Sequence, residues 1–289
     1  AVLNYCQDLE RRGYEVTFLP VNRQGLLDMD RVEDAIREDT AIVSIMWANN
    51  ETGIIFPVEE IAKMAKAKGA VFHTDAVQSV GKLPINLKDT AIDMLSLSGH
   101  KLHAPKGVGV LYVRKGTRFV PYIKGGHQEH GRRAGTENVP YIIGMGTAAK
   151  LAAANMDEEN TKVRALRDRL ENGLLQVEAT MVNGDREERL PNTCSVSFEY
   201  VEGESILLGL SDLGICASSG RAMGVPFTAA HGSIRFSLSV YNTEEEVDYI
   251  LEHMPPIIER LRAISPFWAK AKSEGLIGAA CNTPGYVEP

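Results

Sequence analysis

The stretch AIVSIMWANNETG, residues 41–53, joins a continuous apolar run to a cluster of polar residues. The apolar part is short and rich in β-branched residues, which predicts a buried strand. A helix follows, with Pro57 in its first turn and Gly69 just past its end, and the next strand is predicted at 71–74. A strand, a helix and a second strand in this order indicate a right-handed βαβ unit.

The same alternation extends through the first half of the chain. Helices are predicted at 2–12, 28–38 and 57–68, and strands at 14–21, 41–47, 71–74, 94–98 and 109–114. Short apolar strands separated by helices form a mainly parallel sheet that is covered on both faces. We therefore predict an α/β fold whose ligands bind at the carboxyl ends of the strands.

The second half has a different pattern, which predicts a smaller α+β domain. Residues 141–177 are mostly helical with a break near Asn155, further helices are predicted at 204–213 and 243–264, and strands at 194–198, 215–217 and 233–239. Thr243 and Glu246 have the spacing of a capping box at the start of the last helix. The pattern divides the chain into a large domain, 1–156, and a small domain, 157–289, and predicts loop or disorder for the tail, 278–289.

Composition excludes some classes of function. The 289 residues include 44% hydrophobic and 24% charged residues with a net charge of -7, which argues against a surface for nucleic acid or anionic membranes. No apolar run is long enough to span a bilayer. The four cysteines have no spacing typical of a metal knuckle or redox pair, so a reducing, cytoplasmic setting is expected.

Polar clusters follow three successive strands of the predicted large sheet. They are Asn49–Gly53 after the first strand, 73–78 (HTDAVQ) after the second and 98–101 (SGHK) after the third. Each cluster alone is a weak signal, because polar residues commonly follow strands. Three of them at the edge where such sheets bind ligands predict a site.

The residue types at this edge suit pyridoxal 5'-phosphate. The cofactor's aldehyde needs a lysine for a Schiff base, which Lys101 provides, and its pyridine nitrogen needs a carboxylate, which Asp75 provides. Its phosphate needs hydroxyls and a histidine, as at Ser98 and His100. These residues predict a site for this cofactor.

Three longer stretches carry a resemblance to a known family: FHTDAVQSVGK (72–82), LSLSGHKLHAPKGVGVLYV (95–113) and GGHQEHGRRAGTEN (125–138). They closely resemble the cysteine desulfurases of the NifS type, which are fold-type-I pyridoxal-phosphate enzymes of aminotransferase class V. The phrases ASSG and HGSIRFSLS, and the spacing from Asp75 to Lys101, agree with this family. WANNETG and SPFW favour its nitrogen-fixation branch.

The resemblance implies a role for each matching residue. Lys101 would hold the cofactor and move the α-proton, Asp75 would pair with the pyridine nitrogen, and Gln78 would bind the ring hydroxyl. The remaining implied ligands are Ser98 and His100 for the phosphate, Thr136 for the phosphate of the neighbouring subunit, and Asn50 and Arg235 for the substrate carboxylate, with Asn50 also at the cofactor. The family implies a homodimer that passes sulfur from L-cysteine to an iron–sulfur scaffold protein.

Several of these residues also have simpler interpretations. Arg235 lies in the alternating stretch SIRFSLS and could be a solvated residue of an edge strand. His73 packs near the cofactor or is an ordinary core histidine. His100, His103, His127 and His130 could suggest a metal site, but the Ala-Pro that follows His103 breaks a helix, so no metal is predicted. Cys194 is most simply a small buried apolar residue.

The stretch GICASSGRAMGVP, residues 214–226, departs from the family. In the family, ASSG continues into a mobile loop that carries the nucleophilic cysteine, and the loop returns through a helix that ends like RAMGVP. Here Gly220 is joined directly to Arg221, so the nucleophile is absent from the position where it is expected. Cys6, Cys216, on a predicted buried strand, and Cys281 do not replace it. We also expect an upstream phosphate-binding segment and the missing loop to be present in the working protein.

Two alternatives stay open. One is a related pyridoxal-phosphate lyase acting on selenocysteine or cysteine sulfinate, which depends less on a mobile cysteine. The other is a non-catalytic dimeric scaffold of the same fold, although a scaffold has no physical need for a lysine beside a pyridine-pairing carboxylate.

Overall fold

The computed structural model describes residues 2–220, 229, 231–275 and 277. Its first sheet has four strands. Its strands are β1 (Ile42–Met46), β2 (Val71–Asp75), β3 (Met94–Ser98) and β4 (Gly109–Val113), in the order β1-β2-β3-β4. The first three are parallel, and β4 is antiparallel to β3. The predicted mainly parallel sheet is confirmed, and three parallel strands bring their carboxyl ends to one edge.

One face of this sheet is covered by helix α3 (Val58–Ala67), whose buried residues Val58, Ile61, Ala62 and Ala65 have helical spacing. They pack with Phe72 and Leu95 of β2 and β3 in the first hydrophobic core. Helices α1 (Val2–Arg11) and α2 (Met29–Ala35) precede the sheet. Asp28 caps α2, because its side chain accepts hydrogen bonds from the backbone of Asp30 and Arg31.

A series of helical segments connects this sheet to the second one. It comprises α4 (Gln128–Gly131), α5 (Val139–Ala154), α6 (Met156–Glu158), a π-helical turn (Glu159–Val163) and α7 (Arg164–Leu174). The predicted break lies at Asn155, which ends α5. The two-domain division at residue 156 stays a prediction.

The second sheet is antiparallel. Its strands are β5 (Thr180–Val182), β6 (Thr193–Phe198), β7 (Ser218–Ser219) and β8 (Ser233–Ser237), in the order β5-β6-β8-β7. Helices α8 (Gly203–Asp212) and α9 (Glu244–Ala263) pack with α7 and β6 around a second core, and α10 (Pro266–Ser273) follows. The predicted capping box is present, since Thr243 and Glu246 make both of its hydrogen bonds.

Two strand predictions are wrong. Residues 14–21 form no strand, because among the described residues no neighbouring strand pairs with them and only Val21 makes an isolated bridge, to Leu27. Residues 215–217 are also irregular, because Gly214 ends the α8 region with a left-handed φ of 76° and pairing begins only at Ser218. Cys216 is therefore exposed rather than buried in a strand.

Two further predictions concern residues 221–226 and 278–289, which lie outside the described residues. Among the described residues, no helix has both the length and the apolar character needed to cross a membrane.

Candidate active site

A cavity of about 600 Å³ lies between the carboxyl edge of the first sheet and strand β8 of the second. Five residues singled out from the sequence line it: Asn50, Gln78, His100, Lys101 and Arg235. They come from both halves of the chain, so folding brings together groups separated by up to 185 positions. Asp75 and Ser98 stand at the neighbouring strand ends, and Thr136 is exposed on the loop before α5.

The turn after β3 positions Lys101. Ser98 is the last residue of the strand, and Gly99–Leu102 forms one 3₁₀ turn. The hydroxyl of Ser98 hydrogen-bonds Nδ1 of His100 over 2.7 Å. Only glycine fits at position 99, because a Cβ there would lie 2.8 Å from Val108 Cγ1 and 3.0 Å from Met145 Sδ. The turn is thus packed tightly against its surroundings while Lys101 faces the cavity.

The end of β2 positions Asp75 and Gln78. The carbonyl of Asp75 accepts a hydrogen bond from the backbone of Trp47 at 2.8 Å, and its carboxylate oxygen Oδ1 accepts one from the backbone of Val77 at 3.0 Å. The second carboxylate oxygen makes no hydrogen bond to a described residue. Asp75 therefore has a free acceptor at the edge of the sheet, and Gln78 lines the cavity one turn further on.

Arg235 joins the second sheet to the loop after β1. Its Nη1 donates to the backbone carbonyl of Asn50 over 2.6 Å. Strand β8, which carries Arg235, lies between β6 and β7, so Arg235 does not belong to an edge strand and that simpler interpretation is wrong. Its Nε is buried and has no hydrogen-bond partner among the described residues. A buried guanidinium donor without a partner is complementary to an anionic group such as a carboxylate.

The loop that carries Asn50 has its own fixed geometry. Asn49 Oδ1 accepts hydrogen bonds from the backbone of Glu51 at 2.8 Å and Thr52 at 3.0 Å, which closes an Asx turn. Gly53 ends the turn with φ 82°, and a Cβ there would lie 2.9 Å from Thr193 Cβ on β6. The sequence Asn-Asn-Glu-Thr-Gly thus holds Asn50 in contact range of the second sheet.

Sequence reasoning missed a charged pair in the same cavity. Lys82 and Glu159 both line it, with only 9% and 7% of their surface exposed. Burial lowers the pKa of Lys82 and raises the pKa of Glu159, and the charge of each opposes the shift of the other. Glu159 enters the cavity from the π-helical turn. The only sequence signal is a lysine inside the apolar stretch SVGKLPI.

The described cysteines lie away from this chemistry. Cys194 is buried in β6, and burial raises the pKa of its thiol to about 12. Cys216 is exposed and Cys6 is partly buried on α1, and neither lines the cavity. Cys281 lies outside the described residues. Among the residues that the structure describes, no three His, Cys, Asp or Glu side chains are grouped to hold a metal ion.

The donor set suits pyridoxal 5'-phosphate. A lysine amine, a carboxylate with a free oxygen, an amide and a Ser–His pair stand at adjacent strand ends, which are the groups this cofactor needs. The unpartnered Arg235 donor is chemically suited to an anionic group. The residues present therefore fit the cofactor.

Comparison with known proteins agrees with this arrangement. The family model of class-V aminotransferases matches residues 1–250. The chain belongs to this family of pyridoxal-phosphate-dependent enzymes. Within it, the chain belongs to the cysteine desulfurases, so the predicted family, fold class and cofactor are confirmed.

Three relatives define the similarity. The chain is 56% identical to the cysteine desulfurase NifS of Azotobacter vinelandii, over 93% of this chain and 71% of the relative. It is 55% identical to cysteine desulfurase 2 of Trichormus variabilis, over 96% of this chain and 74% of the relative. A solved NifS-like protein superposes with a TM-score of 0.87 at 42% identity, over 90% of this chain and 72% of that one.

These alignments contain positions that have no counterpart in this chain. The alignment with the Trichormus enzyme has 297 positions, but 96% of 289 residues is about 277, so about 20 positions face gaps in this chain. The alignment with the Azotobacter enzyme has 284 positions, of which this chain fills about 269, so about 15 positions face gaps in this chain. The relatives thus carry additional residues inside the matched region.

Proposed function

We propose that this protein takes sulfur from L-cysteine, releasing L-alanine and leaving the sulfur as a persulfide on a protein cysteine. The observation that carries the proposal is the position of Lys101 on its packed turn, in one cavity with His100, Gln78 and Arg235. When bound, the cofactor supplies an aldehyde for attachment to a lysine and a ring that withdraws electrons from the substrate. The protein supplies binding groups and a proton acceptor.

Each residue has a defined part in the proposal. Lys101 holds the cofactor and then moves the α-proton of the substrate through its amine. Asp75 would accept a hydrogen bond from the protonated ring nitrogen through its free carboxylate oxygen, Gln78 would bind the ring hydroxyl, and Ser98 and His100 would bind the phosphate as a pair. Arg235 and Asn50 bind the substrate carboxylate, supported by the buried Nε of Arg235.

The sulfur-accepting thiol belongs, in this proposal, to a loop at the junction of Gly220 and Arg221. The extra aligned positions of the relatives support a segment of that kind. A persulfide forms when the thiolate attacks the substrate sulfur and the C–S electron pair passes to the carbon side, which then takes up a proton. The loop must be mobile, because the persulfide has to reach its acceptor.

The related lyase activity is the second candidate function. No described cysteine lines the cavity, and cleavage of cysteine sulfinate or selenocysteine depends less on a protein thiol. Assays on L-cysteine and L-cysteine sulfinate separate the two, because only the desulfurase leaves a protein persulfide.

A homodimer is part of the proposal. Helix α5 exposes the apolar side chains of Val139, Ile142 and Ile143, and Tyr122 nearby in the chain is 91% exposed. An apolar surface of this kind is typical of a protein interface. Thr136 is exposed beside it and points to a role in the neighbouring subunit. The resemblance to the NifS-type family implies an iron–sulfur scaffold protein as the sulfur acceptor, and the free described cysteines support a reducing cytoplasm.

The test is borohydride reduction of the purified protein with pyridoxal 5'-phosphate, followed by intact mass measurement. We expect one pyridoxyl-phosphate group on the native chain and none on Lys101→Ala. The matched control is Lys106→Ala, since Lys106 is exposed five residues further on and outside the cavity lining. A cofactor group retained by Lys101→Ala would refute the assignment of Lys101.

A further inference from the structure

Three side chains from three adjacent strands form a continuous hydrogen-bonded chain across the first sheet. Ser44 Oγ on β1 lies 2.8 Å from Nδ1 of His73 on β2, and Nε2 of the same ring lies 2.9 Å from Ser96 Oγ on β3. Both ring nitrogens are therefore bound by hydroxyls. The chain lies on the sheet face opposite α3, since Phe72 and Leu95, the alternate residues, pack in the first core.

This chain leads to Asp75. Asp75 lies two residues after His73 on the same strand, so their side chains share one face of the sheet. Ser96 is the register partner of Asp75 on β3, so their side chains lie on the same face of the sheet as neighbours across the two strands. Ser44 is the partner of His73 and lies one step further from Asp75.

The surroundings of the His73 ring favour its neutral form. Burial lowers the pKa of His73, and the negative charge of Asp75 opposes the shift without reversing it. A neutral imidazole donates from one nitrogen and accepts at the other, so the chain of hydrogen bonds must have a direction. Asp75 is the charged group that acts electrostatically on this ring, and the ring's hydrogen-bond partners on β1 and β3 are uncharged serines.

The charge of Asp75 selects the direction. If Ser44 donates to Nδ1 and Nε2–H donates to Ser96, the hydroxyl proton of Ser96 is free to turn toward the carboxylate. In the reverse direction that proton is held by Nε2, and a lone pair of Ser96 faces the negative charge. The first arrangement is electrostatically favoured, because hydrogen-bonded chains polarise one another in a weakly screened environment.

We propose that His73 is a positioning residue of the cofactor site, held as its Nε2–H tautomer so that Ser44, His73 and Ser96 stabilise the ionised carboxylate of Asp75 opposite a protonated heteroaromatic nitrogen. The inference rests on the proposed function for the identity of the ring. The alternative is a core histidine that only ties three strands together. A purely structural histidine would need both hydrogen bonds, but either ring nitrogen could be the donor.

Nitrogen NMR of the full chain with ¹⁵N-labelled histidine tests the direction. We expect His73 to be the Nε2–H tautomer, and Asp75→Asn to reduce that preference. The pKa of His73 should fall further in Asp75→Asn, because the charge that raises it is removed. An Nδ1–H tautomer in the native chain, or an unchanged His73 signal in Asp75→Asn, would overturn the proposal.

Cofactor binding gives the second readout. His73→Phe should weaken binding of pyridoxal 5'-phosphate by about tenfold, as loss of an outer partner does at other ligand-holding groups. His73→Gln, which keeps a donor and an acceptor, should recover part of the loss. Should His73→Phe not fold, Ser96→Ala and Ser44→Ala replace it, and Ser96→Ala should have the larger effect because Ser96 adjoins Asp75.

His253→Gln is the matched control, since the ring of His253 bonds the carbonyl of Tyr249 on α9. The two proposals fail differently. A native chain that binds no cofactor would refute the proposed function and leave the tautomer result standing. A native chain that binds it, with equal affinity in His73→Phe and Ser96→Ala, would refute the role of His73.

Discussion

Arg235 Nη1 donates a hydrogen bond to the backbone carbonyl of Asn50 over 2.6 Å, which joins strand β8 to the loop after β1 across the cavity. The same guanidinium keeps its Nε buried and without a partner among the described residues. One side chain thus lines the cavity, links the two sheets and keeps a buried donor that has no partner among the described residues.

Arg235→Lys should weaken binding of L-cysteine by about 10- to 100-fold, since a charged hydrogen bond contributes about 1.5–3 kcal/mol. A lysine cannot reach Asn50 and present a planar pair of donors at the same time. Titration of the cofactor absorbance with L-cysteine measures the change. Arg169→Lys is the control, because Arg169 pairs with Asp248 on the surface. Equal affinities in Arg235→Lys and the native protein would contradict this role.

Alkylation should distinguish the described cysteines. With a pKa of about 12, only about one Cys194 thiol in ten thousand is ionised at pH 8, whereas Cys216 is exposed. Iodoacetamide should modify Cys216 in the native protein and leave Cys194 intact until the protein is denatured. Peptide mapping by mass spectrometry follows each site separately. Rapid native modification of Cys194 would mean that β6 opens readily.

Glu171→Gln should destabilise the native state at pH 7 by about 3–5 kcal/mol, because it removes the negative charge that pairs with the buried guanidinium group of Arg189. Glu171 is fully buried and pairs with Arg189, which is also buried, and with Arg186. Urea unfolding followed by circular dichroism measures the loss. Glu187→Gln, on the exposed turn nearby, is the control.

The pH dependence of that loss has a definite sign. Burial raises the pKa of Glu171, but the hydrogen bonds and charge of Arg189 outweigh burial and hold the pKa below its ordinary value of 4.5. The stabilisation is therefore complete above pH 4.5 and is lost as the pH falls through the folded-state pKa. The difference between native and Glu171→Gln should shrink in acid. A constant difference down to acid unfolding would refute this explanation.

Gly81→Ala should lower both stability and cofactor occupancy. Gly81 has φ +80°, and a Cβ there would lie 2.8 Å from Leu102 Cδ2, on the turn that carries Lys101. Gly69 is a matched control with φ +78° and no atom within 4 Å of the added Cβ. Both substitutions carry the backbone strain of about 1–3 kcal/mol. Only Gly81→Ala should also reduce borohydride-trapped cofactor, and equal occupancy in the two variants would contradict the coupling.

The sequence predicted strands β1 to β3 correctly, because these strands are encoded by short runs of neighbouring residues. Strands β1 to β3 follow from short apolar runs, and the polar groups at their ends follow from the parallel arrangement, so Asn50, Gln78 and Lys101 could be placed at one edge. The family resemblance then added Arg235. This residue is distant in sequence, and its own local pattern indicated an edge strand.

Pairing between distant strands could not be predicted in the same way. Cys216 is exposed because β7 pairs with β8 only from Ser218 onward, a register that is set by the partner strand. The link from Ser44 through His73 to Ser96 likewise depends on the register of three strands. Lys82 and Glu159 line the same cavity, although they are far apart in sequence and no local sequence pattern indicates that they lie close together.

The π-helical turn at Glu159–Val163 has a consequence for which length changes the chain tolerates. Beyond this turn, Leu166, Leu170 and Leu174 of α7 enter the second core, while Met145 and Ala148 of α5 pack beside the Lys101 turn. Each α-helical residue advances the direction of a side chain by about 100°. A π-helical turn holds one residue more than an α-helical turn, so deleting one residue from Glu159–Val163 would restore an α-helical turn and keep the leucine row of α7 facing the second core. A single-residue deletion in this turn should therefore be tolerated better than one inside α5 or α7, where it would rotate the side chains on either side of the deletion by about 100° relative to each other.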